Sequence, residues 1–256
     1  MSAAPAVPPA IPPAIRITAL GKRFGADGPL VLDDVTLTIA PGEFVCLLGA
    51  SGCGKSTLLN IIAGLDAPST GTVTVASGSA AVMFQDAALF PWLTAGRNVE
   101  LALKLRGVPR DKRRGKALEL LDVVNLADAA SKRPHELSGG MRQRVALARS
   151  LAQDRKVLLM DEPFAALDAI TRDLLHEELE RVWRETGRTI VFVTHNVREA
   201  ARLGQRVLLM SSRPGRIANE WRLADDGPRR IESPEVSRLS IEITEQLRRE
   251  IRRNAA

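Results

Sequence analysis

The sequence contains no tyrosine, only two cysteines (Cys46 and Cys53), and few aromatic residues of any kind, 4% in all. Two thiols cannot build a disulfide framework, so a reduced, intracellular chain is the expectation. No stretch approaches the roughly 20 apolar residues that a membrane-spanning helix needs. The opening residues 1–14 carry no charged side chain and are rich in Ala and Pro. They lack the basic start and Pro-free apolar run of a signal peptide. A disordered N-terminal tail is expected there.

What is present is an ordinary globular composition, 45% hydrophobic and 26% charged, over 256 residues. That length suits one large domain or two small ones. The net charge is +6. A mild basic excess suits a protein that handles anionic nucleotides or sits near an anionic membrane face. It would suit a nucleic-acid binder equally, so charge alone separates none of these.

Hydrophobic periodicity divides the chain. From Ile15 to Ile39, short apolar runs are broken by turn residues at Gly21 and at residues 25–28, which predicts strands. Phe44 to Leu48 is continuously apolar, as a strand buried on both faces would be. A helix is predicted over Ser56–Ala63 and a short strand over Val82–Phe84. From Leu93 to Gln153 the apolar spacing turns helical, which predicts an inserted helical region at about residues 88–152. Strand and helix signals then alternate: Val157–Met160, Arg172–Thr186, Thr189–Thr194, Val197–Leu203 and Val207–Met210. Such alternation argues a mostly parallel sheet covered by helices. The last segment, residues 226–256, reads as a basic helical extension, with Ile241, Ile243, Leu247 and Ile251 on one side and many Arg elsewhere.

Gly49-Ala50-Ser51-Gly52-Cys53-Gly54-Lys55-Ser56-Thr57 fits the pattern G-x-x-x-x-G-K-[ST], between a predicted buried strand and a predicted helix. Its glycines let backbone N–H groups curl around phosphate oxygens, and the following helix presents its positive end. Lys55 is placed to reach the β- and γ-phosphates, and the Ser56 hydroxyl to ligate Mg²⁺. Chance alone would give such a pattern in roughly one chain in a hundred at ordinary glycine usage.

Val157-Leu158-Leu159-Met160-Asp161-Glu162-Pro163 is a buried strand ending in two acids. Open α/β sheets place ligands at the carboxyl ends of their strands. Asp161 is expected to hold Mg²⁺, directly or through water, and Glu162 to act as general base on the attacking water. A lone acidic pair would merely cap a strand; an upstream phosphate loop removes that economy.

Leu137-Ser138-Gly139-Gly140-Met141-Arg142-Gln143-Arg144 resembles the signature of the ABC transporter family, with Met141 where Gln is commonest. Ser138 can cap a helix, and Gly139 and Gly140 bare its N-terminal N–H groups as an anion site. The resemblance implies two chains dimerised head to tail, with each ATP between one chain's phosphate loop and the other's signature. It implies further roles in sequence order. Gln85 resembles the glutamine that touches Mg²⁺ or the lytic water. Asp168 resembles the aspartate that crosses the dimer interface, although read alone it would be a helix N-cap. His195 resembles the switch histidine that contacts the γ-phosphate. Phe24 falls where the family usually has a tyrosine stacked on adenine; a ring face suffices for stacking. His135, His176, Trp183 and Trp221 are expected to be surface or packing residues.

The resemblance spans roughly Ile15 to Ile217 and implies an α/β fold. Its core is a RecA-like P-loop NTPase sheet, mostly parallel, with an N-terminal antiparallel β subdomain and an inserted α-helical subdomain. The ABC ATPase domain is expected over residues 15–225. Phe84 to Thr94, continuing to Asn98-Val99, resembles the nitrate/sulfonate/taurine importer group, as does Ser211 to Ile217. In that group separate permease chains span the membrane and a periplasmic binding protein delivers a small anion or related nutrient. The resemblance thus implies an ATPase at the cytoplasmic face of the membrane, with ATP, Mg²⁺, a second copy and a permease as partners, and no nucleic acid. The rival classes are a non-transport ABC ATPase of DNA repair or translation, a small-molecule kinase, and an ATP-binding regulator without hydrolysis. The first usually carries coiled-coil or zinc insertions, the signature counts against the second, and an intact Glu162 counts against the third.

Overall fold

The computed structural model describes residues 12–25, 28–223 and 227–253. The segment expected to be disordered therefore lies, through residue 11, outside the described residues. Two sheets organise the rest. Strands β1 (Ile15–Arg23), β2 (Leu30–Ile39) and β4 (Thr70–Val75) form an antiparallel sheet in the order β2-β1-β4. The second sheet is six-stranded and includes β3 (Phe44–Leu48), β5 (Ala81–Met83), β6 (Val157–Asp161), β7 (Thr189–Val193), β8 (Arg206–Met210) and β9 (Ile217–Arg222). Its order is β5-β6-β7-β3-β8-β9, parallel except for the antiparallel edge strand β9.

The continuous apolar runs follow from burial on both faces of this sheet. Side chains alternate across a strand, so Phe44, Cys46, Leu48, Leu158 and Met160 enter one core cluster. Val45, Leu47, Val157 and Leu159 enter the other. The first cluster packs against α2 (Ala95–Leu105), α4 (Gly139–Ala152), α5 (Ala169–Thr186) and α6 (Val197–Leu203). The second packs against α1 (Lys55–Ile62) and the N-terminal sheet. Each fully buried Leu or Phe contributes about 1.5–3 kcal/mol, so the phosphate-loop strand β3 is held from both sides.

The helical region runs from α2 through α3 (Arg110–Val123) to α4. Thr94 caps α2, its hydroxyl accepting from Arg97 N–H at 3.3 Å. Asn98 is fully buried, and its amide fixes the preceding turn: it accepts from Phe90 N–H at 2.9 Å and donates to Phe90, Leu93 and Thr94 carbonyls. That turn needs one side chain with both donor and acceptor, which Asn supplies. Helix α7 (Pro234–Arg253) packs on α6.

Some local expectations need correction. The turn expected at Gly21 is absent: β1 continues to Arg23 through an irregularity after Thr18, and Gly21 pairs with Thr70. The short strand is Ala81–Met83, not Val82–Phe84, and Phe84 is exposed. Strands β4 and β9, unexpected from the sequence, are edge elements with largely exposed or alternating side chains.

Candidate nucleotide site

The turn from β3 to α1 builds the floor of a cleft. Gly54 sits at φ +103°, and a Cβ there would lie 2.7 Å from Leu32 Cδ2. Only glycine tolerates both the backbone angle and the approach. Gly49 faces Cys53 Sγ at a distance that would leave a Cβ 2.7 Å away. The Cys53 thiol is buried inside the loop, and burial pushes its pKa up against the attraction of Lys55. It is a packing group, not a nucleophile. Lys55 is 6% exposed, and its ammonium donates to the carbonyls of Gly49 and Ala50 at 2.9 and 3.1 Å. A buried, rigidly held cation thus sits beneath the loop's N–H groups.

The end of β6 faces this loop. Asp161 is half-buried, and burial is the main cause that raises its pKa; the neighbouring Glu162 adds to the rise. A hydrogen bond from Ser56 and the charge of Lys55 oppose it. Glu162 adopts φ 45°, a left-handed conformation that costs a non-glycine residue about 1–3 kcal/mol. Its N–H donates to Val193 O at 2.9 Å, and its carboxylate meets His195 Nδ1 at 2.9 Å. The strained turn therefore points Glu162 across to the residue that follows the neighbouring strand by two positions. His195 is largely exposed.

One cleft of 540 Å³ is lined by Phe24, Ser51, Gly52, Gly54, Lys55, Ser56, Thr57, Gln85, Asp161 and Glu162, with Pro29, Val31 and Arg213; His195 is not among its lining residues. Phe24 is 55% exposed and so is not core; the Lys22 ammonium lies 4.9 Å from its ring centroid. Gln85 is exposed, and its carbonyl accepts from Gln143 Nε2 at 2.8 Å, which ties this residue to α4. An oxygen donor set of one hydroxyl, one carboxylate and one amide fits a hard divalent cation completed by phosphate oxygens and water. Ser56 and Asp161 line the same cleft, which puts the first two within reach of one ion.

Ser138, Gly139, Gly140 and Asp168 are not among the residues lining that cleft. Ser138 caps α4, its hydroxyl accepting from Met141 N–H at 3.2 Å. Gly139 borders a separate cleft of 400 Å³ shared with Gln85, Asp86, Arg142, Gln143 and Leu167. Asp168 caps α5; the Thr171 hydroxyl and then its N–H hold the carboxyl below the usual range.

Two features come into view only in the folded chain. Arg213 reaches the nucleotide cleft from the loop after β8. His176 is a packing residue: it is 1% exposed, with Nε2 2.5 Å from Glu199 Oε1, and Glu199 also accepts from the Thr194 hydroxyl. This buried group ties α5 and α6 to the end of β7, one residue before His195.

Comparison with known proteins gives concordant results. The ABC transporter family profile matches residues 32–165. The nitrate import ATP-binding protein NrtD of Synechocystis sp. is 49% identical over 215 residues, covering 80% of this chain and 81% of that protein. The taurine import ATP-binding protein TauB of Burkholderia thailandensis is 45% identical over 234 residues, covering 86% of this chain and 90% of the relative. Among solved structures, a dimeric bacterial ABC transporter cassette superimposes with a TM-score of 0.72 at 35% identity, covering 82% of this chain and 99% of that one. A dimeric ATP-binding cassette in a post-hydrolysis state with ADP and phosphate superimposes with a TM-score of 0.71. With the phosphate loop, the acidic strand end and the capped signature helix in this arrangement, the chain belongs to the ABC transporter family.

Proposed function

We propose that this chain is the ATP-hydrolysing, energy-coupling subunit of an importer for small anions of the nitrate, sulfonate or taurine kind, or for related nutrients. The observation that carries this reading is the convergence of Lys55, Ser56, Asp161, Glu162 and Gln85 on one cleft, while the signature helix lies outside it. The site is then half a site, completed when the signature of a second copy faces it. The relatives that support the importer reading are named for nitrate and taurine import.

Each residue has a role that its surroundings allow. Lys55 and the N–H groups of residues 49–57 bind the β- and γ-phosphates. Ser56, Asp161 and Gln85 would hold Mg²⁺, which would supply charge neutralisation for the phosphates. Phe24 offers a ring face to the base. Glu162 accepts the proton of the attacking water as its oxygen bonds to the γ-phosphorus and the bond to the β-phosphate oxygen breaks. His195, held by Glu162, contacts the γ-phosphate. Ser138, Gly139 and Gly140 of the second copy add helix N-terminal donors, and Asp168 lies at the join. Positioning and charge neutralisation supply most of the rate. Dimer closure is the power stroke, since each triphosphate bonds groups of both copies.

A groove of 810 Å³ between the sheet edge and α2, lined by Phe84, Phe90, Leu101, Leu105 and Arg149, is suited to a helix of the permease. Among the described residues no helix is long and apolar enough to cross a membrane. The relatives named for nitrate and taurine import support a peripheral place at the cytoplasmic face, with a periplasmic binding protein delivering the cargo.

The test is size-exclusion chromatography of wild type and Glu162→Gln with Mg·ATP. The substitution is expected to abolish hydrolysis and trap a nucleotide-bearing dimer. A variant that still hydrolyses ATP at the wild-type rate would remove Glu162 from its role.

A further inference from the structure

We propose that Arg213 is a nucleotide-binding residue that grips the polyphosphate of a nucleoside triphosphate from its place beside Gly52. This rests on the reading of the 540 Å³ cleft as the ATP site.

The argument starts with the loop that carries it. Residues 211–216 leave the end of β8 and are closed on themselves: Ser211 Oγ donates to Pro214 O at 2.9 Å and accepts from Arg216 N–H at 2.9 Å. Ser211 N–H donates to Arg216 O at 2.9 Å. The far side is fixed to β2, where Gly215 N–H donates to Val31 O at 2.8 Å and Asp33 N–H to Gly215 O at 3.1 Å. Arg216 pairs with Asp33. Gly215 lies so close to the phosphate loop that a Cβ would overlap the Cys53 carbonyl. The loop is thus a rigid strap between the two sheets, seated on the back of the phosphate loop.

Arg213 stands on this strap. Its Nε donates to Gly52 O at 2.9 Å, and Nη2 lies 3.4 Å from where a Gly52 Cβ would be. The guanidinium therefore lies against Gly52 and lines the cleft. One N–H is used by the loop. Among the described residues no carboxylate pairs with the guanidinium, and its Nη atoms make no hydrogen bond. An unpaired, planar cation with free N–H groups, held beside a phosphate loop, has the geometry for bidentate contact with phosphate oxygens. A strap alone would need only the Nε bond.

Calorimetric titration of the full chain with ATP, ADP and AMP tests this, for wild type, Arg213→Ala and Arg213→Lys. A polyphosphate contact predicts that Arg213→Ala weakens ATP about tenfold, roughly 1.4 kcal/mol, and AMP less than twofold. Arg213→Lys should recover part of the ATP loss, and the loss in ATPase kcat/KM should appear in KM. The melting temperature without nucleotide should stay near wild type. Equal weakening of ATP and AMP, or ATP binding within twofold of wild type in Arg213→Ala, overturns the proposal. Failure of the wild type itself to bind ATP would instead overturn the reading of the cleft.

Discussion

The phosphate loop and the tip of α4 are both helix N-termini suited to anions, but they are built in opposite ways. The start of α1 is set into the sheet: Lys55 is buried, Leu58 and Leu59 behind it are buried, and the acids of β6 face it. The tip of α4 is bare. Ser138 is exposed, and its hydroxyl is spent on its own helix cap. The nearest cation, Arg142, turns its guanidinium back to the carbonyls of Leu137 and Pro134. One end makes a pocket with charge inside it; the other offers only N–H groups and the end of a dipole. A nucleotide can lodge in the first without the second, whereas the second needs a nucleotide brought to it.

The sharpest way to break this comparison is to substitute both ends. Lys55→Ala should weaken ATP binding by roughly a hundredfold, about 2.7 kcal/mol, because it removes the buried cation proposed to bind phosphate. Gly139→Asp should leave ATP binding to the dilute chain within twofold while hydrolysis falls about a hundredfold, the scale of losing a preorganised donor site. A Cβ at Gly139 meets only flexible side-chain ends, Leu167 Cδ2 at 3.2 Å and Arg142 Nη2 at 3.9 Å, so the fold can absorb it. If Gly139→Asp weakens binding as much as Lys55→Ala, the signature reaches its own chain's cleft and the head-to-tail arrangement fails.

Much of this contrast is readable in the residues alone, for a physical reason. The buried strands are continuous apolar runs because both faces of the sheet are covered, and the loop motif is contiguous because one turn must wrap phosphate. What stays illegible is assembled from distant segments. Thr70–Val75 and Ile217–Arg222 are edge strands with mixed exposure, so neither period stands out. Gly21 looks like a turn residue, but its value is the close approach of Thr70 across the sheet. Arg213 falls in a stretch that carries the importer-group resemblance, but its approach to Gly52 exists only once the strap folds. His176 and Glu199 are 23 residues apart and become a buried pair only when α5 and α6 pack.

A smaller effect sharpens what the buried half costs. Asp161 is held half-buried beside Glu162, and its pKa is raised above the ordinary carboxylate value. Below the ordinary value both folded and unfolded chains carry the proton, and the group costs nothing. As pH rises through the raised folded value, the folded chain must hold a charge that burial disfavours, and stability is lost. Asp161→Asn should therefore melt higher than wild type at neutral pH, with the gain vanishing in acid, while hydrolysis falls. A variant that melts lower than wild type at neutral pH would mean that the Ser56 and Lys55 interactions outweigh burial.

The smallest effect is expected farthest from both ends. Trp221 on β9 donates its indole N–H to Glu242 of α7 at 2.8 Å, at an exposed position. Val236 and Ile243 of α7 are buried in its packing. Trp221→Phe removes the hydrogen bond and keeps most of the ring, so the loss should be about 0.5–1.5 kcal/mol of stability. Hydrolysis should stay within twofold, because α7 lines neither the nucleotide cleft nor the cleft beside the signature. Yet α7 packs on α6, which begins two residues after His195. A drop in hydrolysis beyond twofold, with ATP binding intact, would make α7 a third participant that sets the switch histidine, and the contrast between the two helix ends would no longer describe the whole site.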